Sequence, residues 1–219
     1  MVDIALYIAS IITLIVSMIL AYALILRWKS IGFYRLFLPL TIVGFFNLFP
    51  FIFFRYSEIG LIINSISEFV FVILEYSILL YCLSRIITQR TLSIIAKYTA
   101  IAVFVTSITL LIVNPRFLKL NAFEITTFHS TSLIILALFA FSQYLLNDDP
   151  NKVDSSSFYL ITAIFFLHTF IYPTVSIGIL TNVHSVPLAH FLSNIIYDLA
   201  YVSFYILIIK AIKCKKYQN

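Results

Sequence analysis

Charge is what this sequence has least of: 11% of its 219 residues are charged, against 62% that are hydrophobic. No Lys or Arg stands between Gly60 and Ser84. The two cysteines, Cys82 and Cys214, are too few and too far apart to build a Cys-based metal motif, and the topology read below puts both on the cytoplasmic side, where no disulfide is indicated. No HxxxH or HExxH pair occurs, and no PQ motif. The last apolar segment has no lysine at mid-depth, because Lys210 lies at its end, and this excludes a retinal-binding rhodopsin. No basic run precedes the first apolar segment, so the cleavage-like AYA at 21–23 is read as part of an uncleaved first span.

What is present is apolar length. Mean hydropathy is +1.07, and segments of about 20 residues, enough to cross a bilayer, run over 4–26, 31–54, 60–84, 93–113, 124–146, 157–181 and 190–212. The expected fold class is therefore all-α: a polytopic membrane protein of seven transmembrane helices forming a single domain over 1–219. The longest connections, 114–123 and 147–156, leave no soluble domain, so any output passes through the helices. The net charge of +5 reads as topology rather than as affinity for nucleic acid. Arg27, Lys29, Arg35, Arg85, Arg90, Lys97, Lys152, Lys210, Lys213, Lys215 and Lys216 fall on one side, and only Arg55, Arg116 and Lys119 on the other. Basic residues concentrate on the cytoplasmic side, which predicts N-out, C-in. The tail KAIKCKKYQN is part of that signal and a possible contact for anionic headgroups.

Against this background the stretch NSISEFVFVILEYS at 64–77 places Glu68 and Glu75 inside a span. An acid near the bilayer centre costs roughly 2.5 to 3.5 kcal/mol on insertion scales, so it faces a bundle interior and marks a functional site. Asn64, Glu68 and Glu75 share one helical face, with Glu75 roughly 10 Å deeper than Glu68. His190, Asn194, Asp198, Tyr201 and Tyr205 form a second stripe, expected to look across the bundle at the third span. With the predicted orientation, Asn47, Asn64, Glu68, His129, Tyr172, Asn194 and Asp198 lie in the outer half, His168 near the middle and Glu75 slightly inward of centre. The ligand-binding set is thus Asn47, Asn64, Glu68, Glu75, His129, His168, Tyr172, Asn194, Asp198 and Tyr201, lining one cavity open to the outside. For Asn64, Asn194 and His129 the alternative is a structural role as interhelical hydrogen-bonding groups.

Pro39 and Pro50 interrupt the second span, and Pro173 with Gly178 the sixth. Asn64-x-x-x-Glu68 is echoed by Asn194-x-x-x-Asp198, and FFNLFPF loosely by FFLHTFIYP, which suggests a 3+1+3 parallel repeat linked by the fourth span.

The stretches INSISEFVFVILEYSILLY, HSTSLIILALFAFSQYLL, SSFYLITAIFFLHTFIYP and HFLSNIIYDLAYVSFYIL resemble a group of short, uncharacterised bacterial seven-helix membrane proteins, whose genes often lie near sensor kinases or regulators. Asp198 departs from the Asn expected there. The resemblance implies a bacterial cytoplasmic (inner) membrane protein with a membrane partner such as a sensor kinase. The function expected is a receptor-like sensor subunit for a small molecule or proton; the rival is a small-solute or proton-coupled transporter. A third reading, a zinc-dependent intramembrane hydrolase, would draw ligands from His129, His168, His190, Glu68 and Asp198. No cofactor is indicated, and the balance is against an enzyme.

Overall fold

The computed structural model describes residues 2–53, 58–113, 122–146, 155–184 and 187–214. Among them are seven α-helices and no strand: α1 (Val2–Leu26), α2 (Phe37–Phe53), α3 (Glu58–Ile86), α4 (Arg90–Val113), α5 (Ala122–Leu145), α6 (Ser155–His184) and α7 (Pro187–Cys214). Five of these are long and apolar enough to cross a membrane: α1, α4, α5, α6 and α7. Apolar side chains cover the outside of the bundle as well as its interior; Ile15, Tyr22, Ile101, Ile135 and Leu199 are all exposed. In water that surface would be unstable, and in lipid it is the expected one.

The second apolar segment begins differently from the sequence expectation. Residues Gly32–Leu36 form a 3-10 turn rather than the start of an α-helix. Gly32 sits at φ 54, a left-handed conformation that a Cβ would penalise, and it lets the chain reverse between α1 and α2. Pro39 consequently falls in the first turn of α2, where its missing N–H has no intrahelical partner to lose. It starts the helix instead of interrupting it. Pro173 does lie inside its helix, and α6 continues past it to His184.

The helices close into a ring. In order around it α1 packs on α2, α2 on α3, α3 on α5, α5 on α6, α6 on α7, and α7 back on α1; α4 packs against α3 outside the ring. One end of the ring is tied by polar contacts. Arg27 Nη1 donates to the carbonyls of Ile212 and Lys213 at 3.1 and 3.3 Å. The Tyr34 hydroxyl lies 2.6 Å from Ser156 Oγ, and the Thr88 amide donates to Gln143 Oε1 at 3.0 Å. These bonds bring the C-terminal ends of α1, α3, α5 and α7 to one face with the N-terminal ends of α2, α4 and α6. Arg27, Lys29, Arg35, Arg85, Arg90, Lys210 and Lys213 therefore share that face. The interior is filled by large side chains, among them Tyr34, Phe37, Tyr76, Phe204 and Tyr205, all fully buried.

Candidate functional site

Helix α7 carries Asp198 and Tyr201 three residues apart, hence on one face, and the ring turns that face inward. The Tyr201 hydroxyl donates across the ring to Glu75 of α3, its oxygen 2.8 Å from Oε1 and 3.0 Å from Oε2. Tyr197, a turn earlier, donates to Tyr201 at 3.4 Å. Phe71 packs on the Tyr201 ring at 5.6 Å. Asp198 is met from a different helix: Ser10 of α1 donates to its Oδ2 at 3.1 Å, and Thr13 Oγ1 donates to the Asp198 carbonyl at 3.5 Å. Glu75 is 5% and Asp198 8% exposed. Among the described residues both acids are met only by hydroxyl groups, and neither has a basic partner.

The helix α2 passes close by because it has a glycine there. A Cβ on Gly44 would stand 3.1 Å from Phe71 Cε2 and 3.3 Å from the Tyr205 hydroxyl, so the absence of a side chain is what admits both rings.

A second polar cluster joins α3, α5 and α6. The His129 ring stacks on Tyr76, centroids 3.8 Å apart and planes at 7°. The Tyr76 hydroxyl lies 2.9 Å from Ser132 Oγ. On α6, His168 Nδ1 lies 3.3 Å from Ser130 Oγ. Among the described residues, His129 Nδ1 and His168 Nε2 are buried without a hydrogen-bond partner. Orphaned buried polar atoms of this kind are rare and mark a place for a water or a ligand group.

The structure thus brings together Glu75, Asp198 and Tyr201, and separately His129 and His168. Through Tyr201, Glu75 is joined to the same stripe of α7 as Asp198. Asn194 is partly buried one turn before Asp198, and Tyr172 is 42% exposed, which sets it apart from the buried members of the set. The side chains of Asn47, Asn64, Glu68 and His190 lie outside the described residues. Sequence reasoning found the span that becomes α1 but missed its contribution to the site. Ser10, Thr13 and Ser17 are all buried, and their spacing of three and four is a polar stripe in an otherwise apolar span, the one signal that would have found them.

Among the described residues no three of His, Cys, Asp and Glu are grouped to hold a metal ion, and a zinc centre on His129 and His168 would draw on Glu68 or Asp198. Elemental analysis of purified protein decides that reading. A zinc site predicts close to one metal per chain and its loss in His129→Ala, whereas metal-free protein retires the hydrolase reading and leaves the others standing. No family model, curated protein or solved structure matches the chain.

Proposed function

We propose that this is a receptor-like membrane subunit, seven-spanning with N-out and C-in, in which a proton or small cation occupies the site around Glu75 and Asp198. The observation that supports it is the pair of buried carboxyl groups with hydroxyl donors and, among the described residues, no basic partner. A carboxyl group held out of water is neutral unless a counter-charge meets it, and on this reading the proton or small cation is what neutralises it. Tyr201 ties Glu75 of α3 to α7, and Ser10 ties Asp198 of α7 to α1, so occupancy bears on the position of α7. That helix ends in the basic face, and it is the route by which a membrane protein partner, such as a sensor kinase, would be informed. The order around the ring suits the 3+1+3 reading: α1 to α3 and α5 to α7 are two consecutive sets, and α4 stands outside.

The rival reading, proton-coupled or small-solute transport, is favoured by Pro173 inside α6, since an interrupted hydrogen-bond ladder is a natural hinge. One experiment separates the two. Cys214 is exposed and Cys82 buried, so a thiol-reactive fluorophore reports on the end of α7 alone. In proteoliposomes, stepping external pH or adding a small organic cation should change its emission without net flux. Flux of the proton or cation would establish transport instead, and neither signal would overturn both readings.

A further inference from the structure

We infer that the groove between α1 and α2 is a binding site for one anionic phospholipid, its acyl chain in the groove and its phosphate at the α1–α2 turn. The groove encloses about 210 Å³ and is lined by Ser17, Met18, Ala21, Thr41, Ile42 and Phe45. It opens sideways onto the lipid-facing surface, where Met18 is 55% and Ile42 47% exposed. Its two hydroxyls are already used within their own helices, Ser17 donating to Leu14 O at 2.7 Å and Thr41 to Leu38 O at 2.8 Å. What it presents to an occupant is therefore hydrocarbon, and in a bilayer the hydrocarbon at hand is an acyl chain.

The headgroup end follows from charge. The turn that joins α1 to α2 holds Lys29 and Arg35, and neither is paired with an acid among the described residues. Lys29 is exposed. Arg35 is fixed in place: its Nε donates to Trp28 O at 2.6 Å, its Nη2 to Lys29 O at 3.1 Å, and its guanidinium lies 5.4 Å from the centroid of the Trp28 ring. A positioned guanidinium near an exposed lysine and an interfacial tryptophan is suited to a phosphate. The heights agree as well. Arg27 follows Ala21 by six residues, roughly 9 Å along a helix, which is within the hydrocarbon of one leaflet, about 15 Å. A lipid whose phosphate meets Lys29 and Arg35 thus lays its upper acyl segment along the groove. The inference is independent of the carboxylate site.

The test uses the full chain in nanodiscs of equal phosphatidylglycerol and phosphatidylcholine, followed by release into detergent and native mass spectrometry. One phosphatidylglycerol should be retained per chain in preference to phosphatidylcholine. Lys29→Gln and Arg35→Gln should each cut that preference about fivefold, the effect of one positive charge near an anionic surface, while Lys97→Gln on α4 should leave it unchanged. Ala21→Phe, which fills the groove, should reduce retention of both lipids; if it fails to fold, Ile42→Trp serves the same purpose. Equal retention of the two lipids by the wild type would overturn the inference. So would an equal loss in Lys97→Gln, or a dimer that cross-links through Met18 and Ile42 with no lipid held.

Discussion

The double variant Glu75→Gln, Asp198→Asn should lose the response of a Cys214-attached fluorophore to pH and to added cation while still folding. Gln and Asn keep the size of the acids and can still accept from Tyr201 and Ser10, so the links from α7 to α3 and α1 survive. What disappears is the charge that a proton or cation would neutralise. Hydrogen bonds to charged groups contribute about 1.5 to 3 kcal/mol, so even a single Glu75→Gln should weaken apparent cation affinity about tenfold or more. Tyr201→Phe is the complementary variant. It leaves the acid in place but removes its donor, at a cost of about 1 to 3 kcal/mol for an unsatisfied buried group, visible as a lower midpoint of thermal unfolding in detergent. A double variant that responds like the wild type would reduce both acids to packing elements.

Gly44→Leu should be the most damaging single substitution in α2. The position faces Phe71 and the Tyr205 hydroxyl so closely that a Cβ alone would stand 3.1 and 3.3 Å from them, and the rest of a leucine has no space to enter. Overpacking of this kind costs about 1 to 3 kcal/mol, and it falls on the two side chains that pack on the Tyr201 ring. Gly44→Ala gives the contrast. It asks the Phe71 ring edge and the Tyr205 hydroxyl to give by only a few tenths of an ångström, and alanine recovers up to about 1 kcal/mol of helix propensity, so its net effect should be small. Thermal unfolding followed by size-exclusion chromatography should therefore show a sharp step between Ala and Leu. Equal tolerance of both would mean that α2 lies farther from α3 and α7 than described.

How far the site was legible in the sequence depends on the kind of signal. The helices were legible because runs without charge are long and the breaks between them are rich in Arg, Lys, Asp and Pro; the segment 190–212 falls inside α7, Pro187–Cys214. The turn at Gly32–Leu36 was not, since Ile31, Phe33 and Leu36 are as apolar as the spans around them and only the backbone of Gly32 gives it away. Spacing put Asp198, Tyr201 and Tyr205 on one face of α7, and its expected partner, α3, is where Tyr201 finds Glu75. The contribution of α1 was hidden because Ser and Thr occur throughout the spans and most bond to their own helix, as Thr106 and Thr109 do. Which helices are neighbours is a property of tertiary packing; nothing local in the sequence states that α4 stands outside the ring.

The hydrogen bond from Ser10 to Asp198 joins residues 188 positions apart, and it lies where the ring closes between the first helix and the last. A ribosome adding 5 to 20 residues per second needs about 10 to 40 s to synthesise that interval. Throughout it, the Ser10, Thr13 and Ser17 stripe of α1 has been delivered to the membrane before its counterpart exists. Biogenesis therefore includes a waiting period in which α1 is held by lipid, by the insertion machinery or by α2 alone. The α1–α7 contact closes only when α7 arrives, so the helix that carries Asp198 is also the one that completes the ring.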